Sequence, residues 1–400
     1  MPPIATTTDP TVASESTSVV EPPEGKTRRE PFPRGCWNKL KSALDWVFGL
    51  GAIVVGLAVL SVVPVLNLFS LGYLLEASGR VARTGRFRDG FVGVRKASVL
   101  GSVVIGGWLV LLPAQIAASY WNDAELISAG SQVAKGWRVA LIVLTVAGLA
   151  QIAWACVRGG RLRHFLWPAP VRAFRALRHP RLSALHEMGD RVGDWVAGLR
   201  LPHYFWLGFR GFVSAVMWLA IPVGILMAAS QIRNDGLAAL TSLLGAGLLM
   251  IAVLYLPFLQ AHFARTERFE VMFRIKEVRQ FFSRAPIAFW FALFITVLFA
   301  LPLYLLKIEL TPREVAWLPA LLFVVFIFPA RLLVGWALNR GTRRELPRHW
   351  VFRWFSRLAA IPVVVAYAFF VWATQYLSWH GSFSLLEQHA FLVPAPLLGL

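Results

Sequence analysis

Charged side chains are scarce in this sequence. Asp, Glu, Lys and Arg make up 15% of the 400 residues, apolar residues make up 57%, and mean hydropathy is +0.60. Those shares lie far from a water-soluble domain's, and a soluble fold of this length could not hide so much apolar surface. Cysteine is nearly absent: Cys36 sits beside the first apolar run and Cys156 at the end of a later one. Two thiols cannot form a disulfide framework, and they lack metal-ligand spacing. Acidic residues are few, 21 against 40 Lys and Arg, for a net charge of +19. Such a balance on a soluble chain would suggest nucleic acid as a partner, but no recognised binding motif accompanies it, so no nucleic-acid partner is expected. Also missing are an HExxH helix, a GxSxG elbow, a Walker loop and a GxGxxG turn. The chain is therefore read as a non-enzyme with no cofactor, no catalytic residue and no metal ligand. His179, His186 and His203 lie scattered along a basic connector with only Glu187 adjacent, which is no defined ligand geometry.

What is present is apolar sequence in runs long enough to cross about 30 Å of hydrocarbon as helix. Single spans are expected near residues 98–119, 137–157, 204–228, 237–263, 286–305, 315–338 and 358–377. The stretch Leu44 to Gly79 is longer than one crossing needs and carries Pro64 and Asn67 at its middle, so a hairpin of two short helices and one broken, tilted span are both open. Segments 1–42, 80–97, 158–203, 264–285 and 339–357 hold 33 of the 40 Lys and Arg. Segregation of this kind orients membrane proteins with the cations inside, so all five segments are placed in the cytoplasm. Leu44 to Gly79 must then cross an even number of times, which favours the hairpin. The fold class expected is all-α, a polytopic transmembrane bundle of about eight or nine passages with a cytoplasmic N-terminus. Arg210 and Arg331 fall inside spans near their cytoplasmic ends and are read as snorkelling to headgroups. Residues 1–35 are rich in Pro, Thr, Ser and Glu and read as disordered tail, not as a cleavable signal.

The sequence also repeats at an offset of 182 residues. Ala82-Arg83-Thr84-x-Arg86-Phe87-x-x-x-Phe91 recurs as Ala264-Arg265-Thr266-x-Arg268-Phe269-x-x-x-Phe273. Trp154-Ala155-x-x-Arg158-Gly159-x-Arg161 recurs as Trp336-Ala337-x-x-Arg340-Gly341-x-Arg343. Apolar spans align with one another cheaply, so these basic and aromatic matches carry the weight. They suggest two tandem copies in parallel orientation. The expected organisation is a disordered basic cytoplasmic tail at 1–42, a first membrane repeat at 43–161 and a cytoplasmic connector at 162–203. A second repeat follows at 204–343, then an extra span and short external tail at 344–400. Within the connector, residues 181–200 have the apolar spacing of an amphipathic helix lying along the leaflet.

Arg83, Arg86, Arg265, Arg268, Arg158, Arg161, Arg340 and Arg343 are the candidate contacts to lipid headgroups or other anions, because guanidinium groups beside interfacial aromatics can pair with phosphates. Asn67, Glu76, Gln115 and Gln151 are the candidate intramembrane polar site. Glu76 with Arg80 four residues on has the spacing of a helix-surface ion pair. Gly72-Tyr73-Leu74-Leu75 followed by the ARTGRF turn, echoed at ARTERF, resembles an uncharacterised class of bacterial polytopic membrane proteins, a domain of unknown function. The resemblance implies a bacterial inner membrane and brings no activity with it.

Two functional readings follow. The first is a non-catalytic membrane component or scaffold, with anionic lipid headgroups and either a membrane protein or a second copy of the chain as partners. The alternative is a transporter or channel with a pathway between the repeats. Polar groups such as Asn67, Gln115 and Gln151 around a midplane cavity would favour transport. A repeat interface filled with Leu, Phe and Trp would favour the scaffold.

Overall fold

The computed structural model describes residues 32–167, 169, 193–306, 317–377, 381, 384–387 and 389. Two units divide at Leu44, and the described part of the first is the opening of α1 (Phe32–Val62). Then follow α2 (Asn67–Thr84), a 3-10 turn at Phe87–Gly90, α3 (Val94–Ile127), α4 (Gln132–Val157) and α5 (Leu162–Leu166). Beyond the connector come α6 (Leu201–Ala229), α7 (Asp235–Thr266), a second 3-10 turn at Phe269–Phe273, and α8 (Ile275–Arg284). The chain continues with α9 (Pro286–Leu306), α10 (Trp317–Arg343), α11 (Trp350–Leu377) and α12 (Ser384–Glu387). No strand occurs among the described residues, and the all-α expectation holds.

Seven helices are long and apolar enough to cross a membrane, and α8 with α9, bent by 112° at their junction, makes an eighth candidate. This is a membrane protein. Over its described residues, each of the seven single spans expected from hydropathy lies on a helix of its own: α3, α4, α6, α7, α9, α10 and α11. Polar caps start two of them. The Ser131 hydroxyl accepts from the Ala134 amide at the head of α4, and the Asn234 side chain from the Leu237 amide at the head of α7. The segment expected to be irregular through residue 35 is already helical from Phe32. Pro33, beside that start, suits the first helical turn, where the missing amide costs nothing. Most of the expected amphipathic helix at 181–200, with His179 and His186, lies outside the described residues.

Leu44 to Gly79 folds as the hairpin that charge bias favours. In α1, Trp46 packs edge-on against Phe91 with ring centroids 5.3 Å apart, and Gly49 meets the Val94 backbone. From there α1 runs to the turn at Val63–Leu66, where Pro64 cannot continue the helix, and α2 leads back to Phe87. Helix α2 is the less apolar half of the hairpin, because Glu76, Arg80 and Arg83 dilute it. It can afford those charges because protein, not lipid, surrounds it: every residue from Ser70 to Gly79 is buried, against α6, α7 and α10.

The approach is close on three sides. A methyl at Gly72 or Gly208 would run into the backbone of the facing helix, α6 or α2 respectively. Gly79 lies on the Ala264 carbonyl of α7, and Gly335 of α10 on the Ser78 carbonyl. Small residues let helix backbones meet this way in apolar surroundings, where dispersion and not water exclusion drives association. Leu75, Leu256, Leu259 and Phe263 fill the space between, each fully buried. By contrast α3, α4 and α5 pack mainly on one another, with Phe165 wedged against Gly106. Only 11% of the apolar window of α4 is enclosed by protein, against 56% for α10.

Candidate functional site

The charged end of α2 opens into a cleft of about 650 Å³. Its walls come from four places: the last turns of α2, the 3-10 turn with the residues leading into α3, the head of α6, and the residue that ends α7. Glu76 is the deepest charged group there, only 3% exposed. Its Oε1 accepts from Arg80 Nε at 2.6 Å and from Arg83 at 3.1 Å. Its Oε2 is buried without a hydrogen bond and faces His203 Nε2 at 3.6 Å. The sequence reading of Glu76 and Arg80 as a surface pair is thereby corrected. The spacing does bring them together, but three helices close over the carboxylate, which period alone cannot foretell.

Glu267 completes the group. One ligand atom each from Glu76, His203 and Glu267 lies within 4.8 Å of the others, an arrangement able to hold a metal ion. Glu267 caps the end of α7 in the left-handed region, φ +58°. At the same place after α2, 182 residues earlier, stands Gly85 with φ +77°. Left-handed backbone is free for glycine and costs other residues about 1–2 kcal/mol. Arg200, which also lines the cleft and precedes α6, has φ +52°. Two non-glycine residues in this conformation border one cleft, and local strain of that kind gathers at functional sites.

The repeated basic motif is used to tie helix ends together. Arg83 donates to the carbonyls of Ala264 at 2.9 Å and Arg265 at 3.2 Å. Asn339 donates to those of Ala82 and Arg83, and Arg343 to that of Thr84 at 2.6 Å. Terminal carbonyls of a helix lack internal partners and carry partial negative charge, so cations and amide donors stabilise them. Arg340 instead lies over the Trp336 ring at 4.5 Å. Arg158 donates to the Trp167 carbonyl at 2.7 Å. Arg268 pairs with Glu270 at 3.2 Å, and Arg265 is half-buried. Arg86 and Arg161 are exposed. Beside Arg161, partial burial together with Arg158, Arg163 and Arg161 holds the His164 imidazole below its usual range.

The candidate intramembrane polar residues do not converge. Asn67 is buried at the head of α2, Glu76 lies about two and a half turns later at the cleft, and Gln115 is exposed on α3. Gln151 donates to the carbonyls of His164 and Phe165, fastening α5 onto α4. Arg331 also departs from expectation. It does not snorkel but is buried, 3% exposed, and hydrogen-bonds to Gln260 of α7. Arg210 lies near the Phe263 and Phe269 rings, at 5.2 and 5.9 Å.

Among the cleft residues, sequence reasoning did not single out Arg88, Arg200 or Glu267, and it did not join His203 to Glu76. A signal for Glu267 existed: it is the one position where ARTGRF becomes ARTERF, a carboxylate replacing a glycine.

Residues 196–310 match a family described as a protein of unknown function (DUF4013). The matched segment contains both His203 and Glu267, whereas Glu76 lies ahead of it. No curated protein and no solved structure matches the chain. DUF4013 is consistent with the membrane architecture and carries no assigned activity.

Proposed function

We propose that the chain is a non-catalytic component of a bacterial inner membrane, a rigid helical platform that engages anionic lipid headgroups at one charged end. The observation that carries this reading is the distribution of polar groups around α2. Its middle is sealed by Leu75, Leu256, Leu259 and Phe263, while its charges collect at the cleft. A solute pathway would need polar groups along the middle, and Asn67, Gln115 and Gln151 sit on different helices with different surroundings. At the cleft, Arg88 and Arg200 are exposed arginines beside the heads of α3 and α6, neither of which has a side-chain cap. Guanidinium groups and free helix amides together suit a phosphate.

In this reading the basic segments face the cytoplasm, the N-terminus lies inside, and the chain is two tandem copies in parallel orientation. The repeat is supported by the two 3-10 turns, which begin at Phe87 and Phe269, and by the left-handed residues that precede them, Gly85 and Glu267. The test is mass spectrometry of lipids retained by the intact protein. Wild type should keep anionic lipid in preference to zwitterionic lipid, and Arg88→Ala with Arg200→Ala should lose the preference. Equal retention by both would refute headgroup capture.

A further inference from the structure

We infer that Glu76, His203 and Glu267 form a site for one divalent transition-metal ion of the zinc class, with its remaining coordination position open to the cleft. This goes beyond headgroup contact and does not depend on it. The donors come from three separated stretches, the cleft-facing second half of α2, the head of α6 and the end of α7, yet their ligand atoms lie within 4.8 Å of one another. Glu76 Oε2 and His203 Nε2 are already 3.6 Å apart. A tetrahedral ion about 2.0–2.2 Å from each donor holds neighbouring donors about 3.3–3.6 Å apart, so that pair needs almost no movement. Glu267, exposed on its cap, is free to swing the remaining distance.

The buried oxygen points most directly to a ligand. Glu76 is buried to all but 3%, and its Oε2 has no hydrogen-bond donor while facing the His203 imidazole, with the Glu267 carboxylate in the same group of ligand atoms. A buried acceptor is seldom left unmet. One imidazole cannot serve two carboxylates as well as a dication can. Arg80 and Arg83 bond the other oxygen, Oε1, and so fix the direction of Oε2, the role that outer hydrogen bonds play around metal ligands. Two carboxylates and an imidazole, with no thiolate, suit zinc or a neighbouring first-row ion. Arg88 and Arg200, on the same cleft, would favour an anion such as phosphate in the open position.

Glu267 supplies a test that separates metal binding from fold damage. Because its backbone is left-handed, Glu267→Gly relieves strain and should raise the unfolding midpoint of the metal-free protein. The same change removes a ligand. The experiment uses the full chain, untagged, stripped with chelator in a non-ionic detergent free of anionic lipid, and titrated with Zn²⁺ against a chromophoric chelator. Wild type should bind one ion per chain and unfold at higher temperature with Zn²⁺. Glu267→Gly should unfold higher than wild type without metal, yet bind Zn²⁺ at least tenfold more weakly. His203→Ala should weaken binding at least as much. The site is overturned if wild type takes up no stoichiometric Zn²⁺, or if both variants bind it as wild type does. Loss of lipid preference bears only on the headgroup reading, since no lipid is present here.

Discussion

The most exacting test of how α2 is held concerns the unequal exposure of its ion pairs. The Glu76 side chain is 4% exposed, whereas Arg80 and Arg83 are each 35% exposed. Removing the carboxylate leaves two guanidinium groups that can turn to water, so Glu76→Gln should cost about 1–2 kcal/mol, the loss of hydrogen bonds to a charged group. Removing both cations instead strands a buried charge. Arg80→Met with Arg83→Met should cost about 3–5 kcal/mol, the range for breaking a buried pair from one side. Part of that cost is unrelated to Glu76, because Arg83 also serves the carbonyls of Ala264 and Arg265. The triple variant Glu76→Met, Arg80→Met, Arg83→Met cancels that part, since it lacks those bonds too. Relative to the double variant it should regain about 2 kcal/mol, because an apolar set avoids the desolvation of an unpaired ion. Denaturant unfolding in micelles with chelator present, followed by tryptophan fluorescence, measures all three. A triple variant no more stable than the double would refute the reasoning.

Gly208→Leu would push α6 away from the Leu68 carbonyl of α2 and should destabilise by about 2–3 kcal/mol, whereas Gly51→Ala, inside α1 with open space around it, should stabilise by about 0.5–1 kcal/mol; the same unfolding assay compares them. Val65, in the turn between α1 and α2, holds φ +70°, a conformation hostile to β-branched side chains. Val65→Gly should therefore raise the thermal midpoint, by a stabilisation of about 1 kcal/mol, and a lowered midpoint would contradict that turn.

Much of this architecture was legible in the sequence, and the reason is physical. A span that faces lipid must be apolar over about 20 residues, so α3, α4, α6, α7 and α9 to α11 announce themselves. The break at Pro64 was legible too, because a proline inside a long run ends or bends a helix. Hydropathy is silent on what covers a helix, and so nothing in Leu44 to Gly79 showed that α2 would be enclosed by α6, α7 and α10. The inward turn of Arg331 escaped for the same reason: distance from a span's end says nothing about which neighbour offers a Gln260. Glu76 and His203 are far apart in sequence and carry no joint signal. Only the left-handed cap at Glu267 had a trace, a glycine missing from one of two related turns.

The central claim is that protein seals the middle of α2 and that water reaches only its charged end. Cysteine accessibility tests this directly, in a background with Cys36 and Cys156 replaced by serine. Single cysteines at Ser70, Ser78, Thr84 and Arg88 would be exposed to a membrane-impermeant maleimide in sealed vesicles of each orientation. Ser70 and Ser78 are buried and Thr84 and Arg88 exposed, so the account predicts labelling at 84 and 88 from one side alone and none at 70 or 78. Labelling that continues through 78 to 70 would reveal a water-filled path along α2 and contradict it.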